Sequence, residues 1–441
     1  MKDKLVSMAP FFVIMLLIVG WGFTQGWFTP APAPETETAA ADAEAPAEAA
    51  VESPKSPGPA PEAAAAEKPA ERPASVAGEP PAAQWSTYHG DTQLAGVVDV
   101  ELPAEPRRLW RYQANGVIYH APVASERLIH AVTNRGEVIA VDFKGVKAWS
   151  KQLTRIFPSD GSERPARIDG PASCFDETVY VGTMAGVVYA LDAATGEEKW
   201  RRDIDSTILG AVTMQPATET EAARLYVIGQ DDGALHCLSA DDGTPLWTSD
   251  PIDRCDGSPS SAPGVLAFGS CASALHVVSA EDGAILHNIS LGADAQVAGG
   301  VAIRGNSLFS GSQSGEVFHA DWSDGSLLWT NTDAGGEVFT TPAVSADRVV
   351  FGAMDDHFYS LDRATGTLQW KVAARGMTTS PVIARDKLVV AAGGVLSILA
   401  LDSGEELWSF EVSDETSSPS IIGGMIVVGS DDGTVSAFGA P

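Results

Sequence analysis

The most reactive side chains in this 441-residue sequence are four thiols, Cys174, Cys237, Cys255 and Cys271. No two are adjacent, and four in so long a chain exclude a small disulfide-built scaffold. His236 and His276 occupy equivalent places, each one residue before a small residue of a recurring frame. A zinc site would need further ligands in register with them, and none is found. Asp231-Asp232-Gly233, Asp241-Asp242-Gly243 and Asp431-Asp432-Gly433 lack the alternating oxygen ligands and closing glutamate of a calcium loop. Carboxylates that hydrogen-bond their own turns account for them better. No Gly-x-Ser-x-Gly elbow and no phosphate-cradling loop with its lysine occurs. The residues predict no catalytic, cofactor or metal site.

The charge balance narrows the partners. Lys and Arg number 28 against 58 Asp and Glu, a formal charge of −30. A nucleic-acid binder needs a basic footprint to displace counterions, so that class is excluded. Docking onto anionic lipid through a charged face is disfavoured for the same reason.

The elements that must position these residues emerge from self-comparison. In Ala190–Trp200 a small residue stands ten before a tryptophan and a glycine four before it. The frame recurs at Trp247, Trp329, Trp370 and Trp408, with one residue fewer at Trp149, and with His287 in the tryptophan slot of another copy. Each unit reads as four short strands, such as 340–346, 348–352, 357–362 and 367–372, joined by polar glycine turns that favour hairpins. A period near 40 made of four strands predicts a β-propeller blade. The last unit supplies three strands and stops before any tryptophan, while Trp110 has no inner strands ahead of it. Together they make one blade, which gives eight in all and leaves no open edge. The fold predicted is all-β, an eight-bladed propeller over 85–441 closed by an N-terminal outer strand. Trp110, Trp149, Trp200, Trp247, Trp329, Trp370 and Trp408 are expected to seal the seams between blades, each indole N–H finding a carbonyl.

Interblade loops and the turns between second and third strands share one face. Cys255 lies in such a loop and Cys271 in such a turn of the adjoining unit, so the two could bridge in an oxidising compartment. Cys174 and Cys237 read as small buried hydrophobes. The two longest interblade connections, 151–169 and 248–259, carry Arg155, Arg164, Arg167 and Arg254 on an otherwise acidic body. Arginine is favoured at interfaces, so these four are candidate partner-binding residues. Two variable surface loops without a task are the alternative.

The frame Ala-x-Asp-x-x-Thr-Gly-x-x-x-Trp, complete at Ala190–Trp200, resembles the quinoprotein-type (PQQ-like) propeller repeat. Trp85–Gly96 resembles the leader that precedes the first strand in such proteins. In size and blade number the chain is most similar to the BamB-like subunits of the outer-membrane protein assembly machinery. That resemblance implies a non-catalytic scaffold binding a protein partner through loops on one face. A quinone-dependent dehydrogenase would require a vicinal disulfide, a calcium site and a catalytic aspartate. It stays as the alternative, beside a sensor propeller binding a carbohydrate or peptide at its channel.

The first 84 residues read as an address and a tether. From Leu5 to Phe23 no charge interrupts an apolar run, and nineteen helical residues span roughly 28 Å, close to a bilayer core. Lysines before the run and acidic sequence after it predict a cytoplasmic N-terminus and an exported body. Residues 1–28 are therefore expected to be a single-pass signal anchor in the cytoplasmic membrane, with the propeller in the periplasm or outside the cell. A cleaved signal peptide is the rival. No cysteine precedes Cys174, whereas BamB-like proteins carry a lipid on an N-terminal cysteine. Residues 29–84 hold twenty alanines, twelve prolines and a net charge of −7, a composition that cannot repay chain entropy and predicts a disordered linker.

Overall fold

The computed structural model describes residues 85–156 and 161–440. The expected anchor and linker lie outside the described residues. Among the described residues no helix is long and apolar enough to cross a membrane.

Among the described residues eight blades of four antiparallel strands follow one another along the chain, the seventh joined by a fifth, parallel strand. In the sixth blade the strands are Ala343–Val344, Arg348–Ala353, His357–Asp362 and Leu368–Ala373, the expected ones with a shorter first strand. Closure is as expected. Arg107–Gln113 pairs antiparallel with Thr434–Gly439, with Trp110 opposite Ala437 and Tyr112 opposite Val435. The eighth blade is thus built from both ends of the described chain, and its sheet has no missing outer strand.

The tryptophan frame has a geometric cause. The residue ten before each of these tryptophans is its cross-strand partner: Ala190 faces Trp200, Ser360 faces Trp370 and Ile398 faces Trp408. A register shift follows that residue in each of those pairs, a bulge that bends the outer strand. The glycine four before each tryptophan serves the preceding blade instead. A Cβ on Gly196 would lie 2.5 Å from the Trp149 ring and one on Gly366 2.7 Å from Trp329, and both glycines have positive φ. Only a residue without a side chain lets that indole lie flat across the seam. The indole N–H then donates to a carbonyl of the next blade, from Trp110 to Phe143 at 2.9 Å, Trp149 to Ala193 at 2.9 Å, Trp200 to Ala240 at 3.0 Å, Trp329 to Arg363 at 3.0 Å and Trp370 to Leu401 at 2.8 Å. His287 takes the same place over Gly325.

Two tryptophans depart from the expectation. Trp247 lies over Gly283, but its buried N–H has no partner. Trp408 meets the composite blade, where strands from opposite chain ends replace the usual turn. It packs on Phe410 and Phe438 instead, with ring centroids 6.1 and 5.9 Å away.

The leader does more than precede the first strand. The inner strand of each blade turns one edge towards the axis, where its N–H groups need acceptors. Leader carbonyls supply them. Ala124 donates to Trp85 at 2.9 Å, Cys174 to Ser86 at 2.7 Å, Ser261 to Thr92 at 2.7 Å, Ile303 to Gln93 at 2.8 Å, Val344 to Ala95 at 2.8 Å and Ile383 to Gly96 at 2.8 Å. Six blades are thereby tied to one segment, and Val97–Val98 goes on to pair in parallel with Val382–Ala384 of the seventh. The leader's own Trp85, His89 and Leu94 are fully buried. Because Ala124 adjoins the turn into the second strand, the leader occupies the end of the axis opposite the interblade loops.

Candidate docking face

The face left to the interblade loops is built by a contact repeated in every blade. The first residue of the turn between second and third strands donates its N–H to the interblade loop entering the same blade. Examples are Asn134 to Val117 at 3.0 Å, Met184 to Arg167 at 3.0 Å and Gln230 to Thr207 at 2.8 Å. Glycines bring successive loops together nearer the axis. A Cβ on Gly210 would lie 2.6 Å from the Gly257 carbonyl, and one on Gly257 2.4 Å from that of Gly299.

Around this ring the charges are uneven. Tyr119 lies where three loops converge: burial raises its phenol pKa, and so do the carboxylates of Glu415, Asp169 and Asp431. Glu415 is itself raised by burial, then by Asp431 and Asp414. Desolvation pushes the His120 ring down to about 4, against which Asp169 works through its charge and its backbone carbonyl. These residues were missed in the sequence because they come from loops far apart along the chain. The repeat frame alone could have found Tyr119 and Asp169, which follow the equivalent residues Ile118 and Ile168.

Against this acidic rim stands a basic arm. The connection 151–169, read as one long loop, continues the outer strand Lys147–Gln152 and then forms a two-stranded hairpin, Thr154–Ile156 with Glu163–Pro165. β-branched Thr154 and Ile156 suit an extended backbone and explain the difference. Arg155 and Arg164 are register partners across the hairpin, both exposed, with Arg164 donating to Ser162 at 3.0 Å. Ile156 is 61% exposed beside them. Tyr189 of the second blade props the arm, donating its hydroxyl to the Thr154 carbonyl at 2.6 Å. A cleft of about 270 Å³ under the arm is lined by Lys151, Thr154, Glu163, Tyr189, Glu198 and Arg201, among others.

The remaining two arginines are held differently. Arg167 is paired with Asp169 at 2.8 Å. Arg254 lies two interblade loops further round the same face, its Nε–H shared between the two Asp256 oxygens at 3.0 and 3.1 Å, and Asp256 also accepts from Gln230 at 2.6 Å. The structure therefore brings Arg155 and Arg164 together across the hairpin and places Arg167 and Arg254 outside it.

Cys255 is buried and Cys271 half-buried, and all four cysteines are free thiols. The expected bridge is not made in this structure, although Cys271 is close enough to add to the burial that raises the Cys255 thiol. Cys174 and Cys237 are 5% and 0% exposed, small core residues as read from the sequence. His236 is paired with Asp232 at 2.8 Å, and His276 lies between Ser270 and Asn288, both at 2.7 Å.

The family described as "Outer membrane protein assembly factor BamB" matches residues 159–296, 272–394 and 372–440, well over half of the sequence. The chain belongs to the BamB family. The BamB protein of Moranella endobia is 23% identical over 366 residues, covering 77% of this chain and 92% of that protein. The crystal structure of BamB from Moraxella catarrhalis superposes with a TM-score of 0.63 at 20% identity, covering 76% of this chain and 98% of the other. Quinohemoprotein alcohol dehydrogenase from Comamonas testosteroni reaches a TM-score of 0.64 at 14% identity, with 80% of each chain covered. That likeness is one of fold.

The residues of this BamB-family chain do not fit a quinone cofactor of the dehydrogenase kind. None of the four cysteines neighbours another in sequence. Among the described residues no group of three or more His, Cys, Asp or Glu is arranged to hold a metal ion.

Proposed function

We propose that this chain is a non-catalytic scaffold for protein assembly in a cell envelope, docking a protein partner on its interblade face. The observation that carries the reading is the arm. Closing the wheel requires nothing from Thr154–Pro165, yet the hairpin is propped by Tyr189 and presents Arg155, Arg164 and Ile156 together. An apolar centre flanked by arginines is the composition of an interface hot spot, and the carboxylates beyond it suit a partner carrying both signs of charge. The opposite end of the axis is occupied by the leader, which favours the loop face for docking.

The test is a photocrosslinker at Ile156 in the native envelope. It should capture a discrete protein, and R155E/R164E should abolish the capture. Unchanged capture by the double variant would overturn the arm as the docking element.

The same reading takes Leu5–Phe23 as a cytoplasmic-membrane anchor and 29–84 as its linker, supported by the uncharged run and the Ala/Pro composition. The full-length chain should then stay with membranes through alkaline carbonate extraction. Recovery in the soluble fraction would overturn the tether and leave the docking face untouched.

A further inference from the structure

The turn-to-loop hydrogen bond that builds the docking face defines a pair of equivalent positions in every blade. One is the first turn residue, the other the loop residue just after the accepting carbonyl. The pairs are Asn134 with Ile118, Met184 with Ile168, Gln230 with Ile208, Gln313 with Val297, Met354 with Val338, Gly393 with Thr378 and Asp431 with Thr416. In the fourth blade the pair is Cys271 with Cys255, since Cys271 donates to the Arg254 carbonyl at 2.9 Å. A carbonyl oxygen lies roughly 2.8 Å from the next α-carbon in a trans peptide, so this bond sets the two cysteine α-carbons roughly 5–6.5 Å apart. A disulfide spans that separation without backbone movement. The frame of the propeller, and no special distortion, sets the two α-carbons at a separation a disulfide can span, although the Cys255 thiol donates instead to the Asp253 carbonyl at 3.1 Å.

We infer that Cys255 and Cys271 are an oxidation site, closed into a disulfide by a small disulfide oxidant. This inference does not depend on the docking role. Cys271 is the half-buried member and Cys255 is only 2% exposed, which fixes the order of events. The Cys271 thiolate attacks one sulfur of the oxidant, breaking its S–S bond and releasing one thiolate. The Cys255 thiolate then attacks the Cys271 sulfur of the mixed disulfide and releases the second. Two protein thiols are oxidised, one oxidant disulfide is reduced to two thiols, and the two protons pass to the leaving groups. Burial raises the Cys271 thiol to about 11 and the Cys255 thiol further, so closure is slow at neutral pH and accelerates as pH rises. The product ties the Arg254–Asp256 stretch of the loop to the turn beside it.

The experiment incubates the reduced full-length chain with oxidised glutathione at pH 8, blocks remaining thiols, and maps peptides by mass without reduction. The expected product joins the Cys255 and Cys271 peptides and is lighter than their sum by two hydrogens, with Cys174 and Cys237 recovered as thiols. In Cys271→Ser the Cys255 thiol should remain free, because its sulfur is buried out of reach of glutathione. Three results would overturn the inference: Cys255 and Cys271 both recovered as thiols, Cys271 stopping at the glutathione adduct, or Cys255 joined to Cys237, which shares its core cluster.

Discussion

Trp370 and Trp247 occupy the same slot with different hydrogen bonding, and the difference can be measured. Trp370 is 9% exposed and donates to Leu401, whereas the Trp247 N–H is buried without a partner. Trp370→Ala should cost about 3–5 kcal/mol, the usual range for a buried aromatic. Trp370→Phe should cost more than Trp247→Phe, because only the first strands a carbonyl. Equal urea midpoints for the two Phe variants would show that the indole bond contributes nothing.

Buried histidine makes acid the weak side. The His130 ring is fully buried, reaches Ser125 through Nε2 at 3.1 Å and has no partner for Nδ1. Burial pushes its pKa down to about 3, and those of His120 and His319 to about 4. An unfolded chain takes up these protons as pH falls through about 6.5, while the folded one refuses them until near those lower values. Their contribution is therefore complete above pH 6.5 and is lost as pH falls towards 3–4, at about 1.4 kcal/mol per pH unit for each proton refused. Glu415, raised by burial, works in the opposite sense. Urea midpoints should drop between pH 6.5 and 4, less steeply in His130→Asn. A pH-independent midpoint would contradict the burial.

At the scale of elements, the leader carries the largest expectation. Removing residues 1–98 takes away six carbonyls from the inner strands, each bond contributing roughly 1 kcal/mol net, and unpacks Trp85 and Leu94 as well. The loss should be on the order of 5 kcal/mol or more, read as a lower denaturation midpoint beside a chain lacking only residues 1–84. Identical midpoints would make the leader decorative. Nothing in Trp85–Gly96 announced this role, because its main-chain carbonyls accept from partners as far along the chain as Ile383. The hairpin 154–165 was hidden for a related reason, being two strands of three residues, too short for alternation to show. By contrast Gly366 and Trp370 were legible from spacing, since each repeats around the wheel. Spacing could not tell that the glycine serves the neighbour's tryptophan, a relation between blades and not within one.

For the molecule as a whole, closure is the governing fact. Arg107–Gln113 holds the outer position beside Thr434–Gly439, so the eighth blade exists only while both are present. Deleting residues 418–441 would expose the edge of that strand and the flanks of the first and seventh blades. Calorimetry should then show no single cooperative transition, and a sharp endotherm near that of the intact chain would refute the closure. Blade number and closure were readable because a missing tryptophan at one end matched a surplus one at the other. The convergence of Tyr119, Asp169 and Glu415 was not, since three loops separated by whole blades meet only after the ring has formed.

The burial of Trp85 against the innermost strand has a mechanical corollary. Whatever pulls on the chain at Trp85 grips the wheel at its axle and not at its rim. A load arriving along the chain exerts little torque on the disc, and is shared among several spokes before any one of them yields.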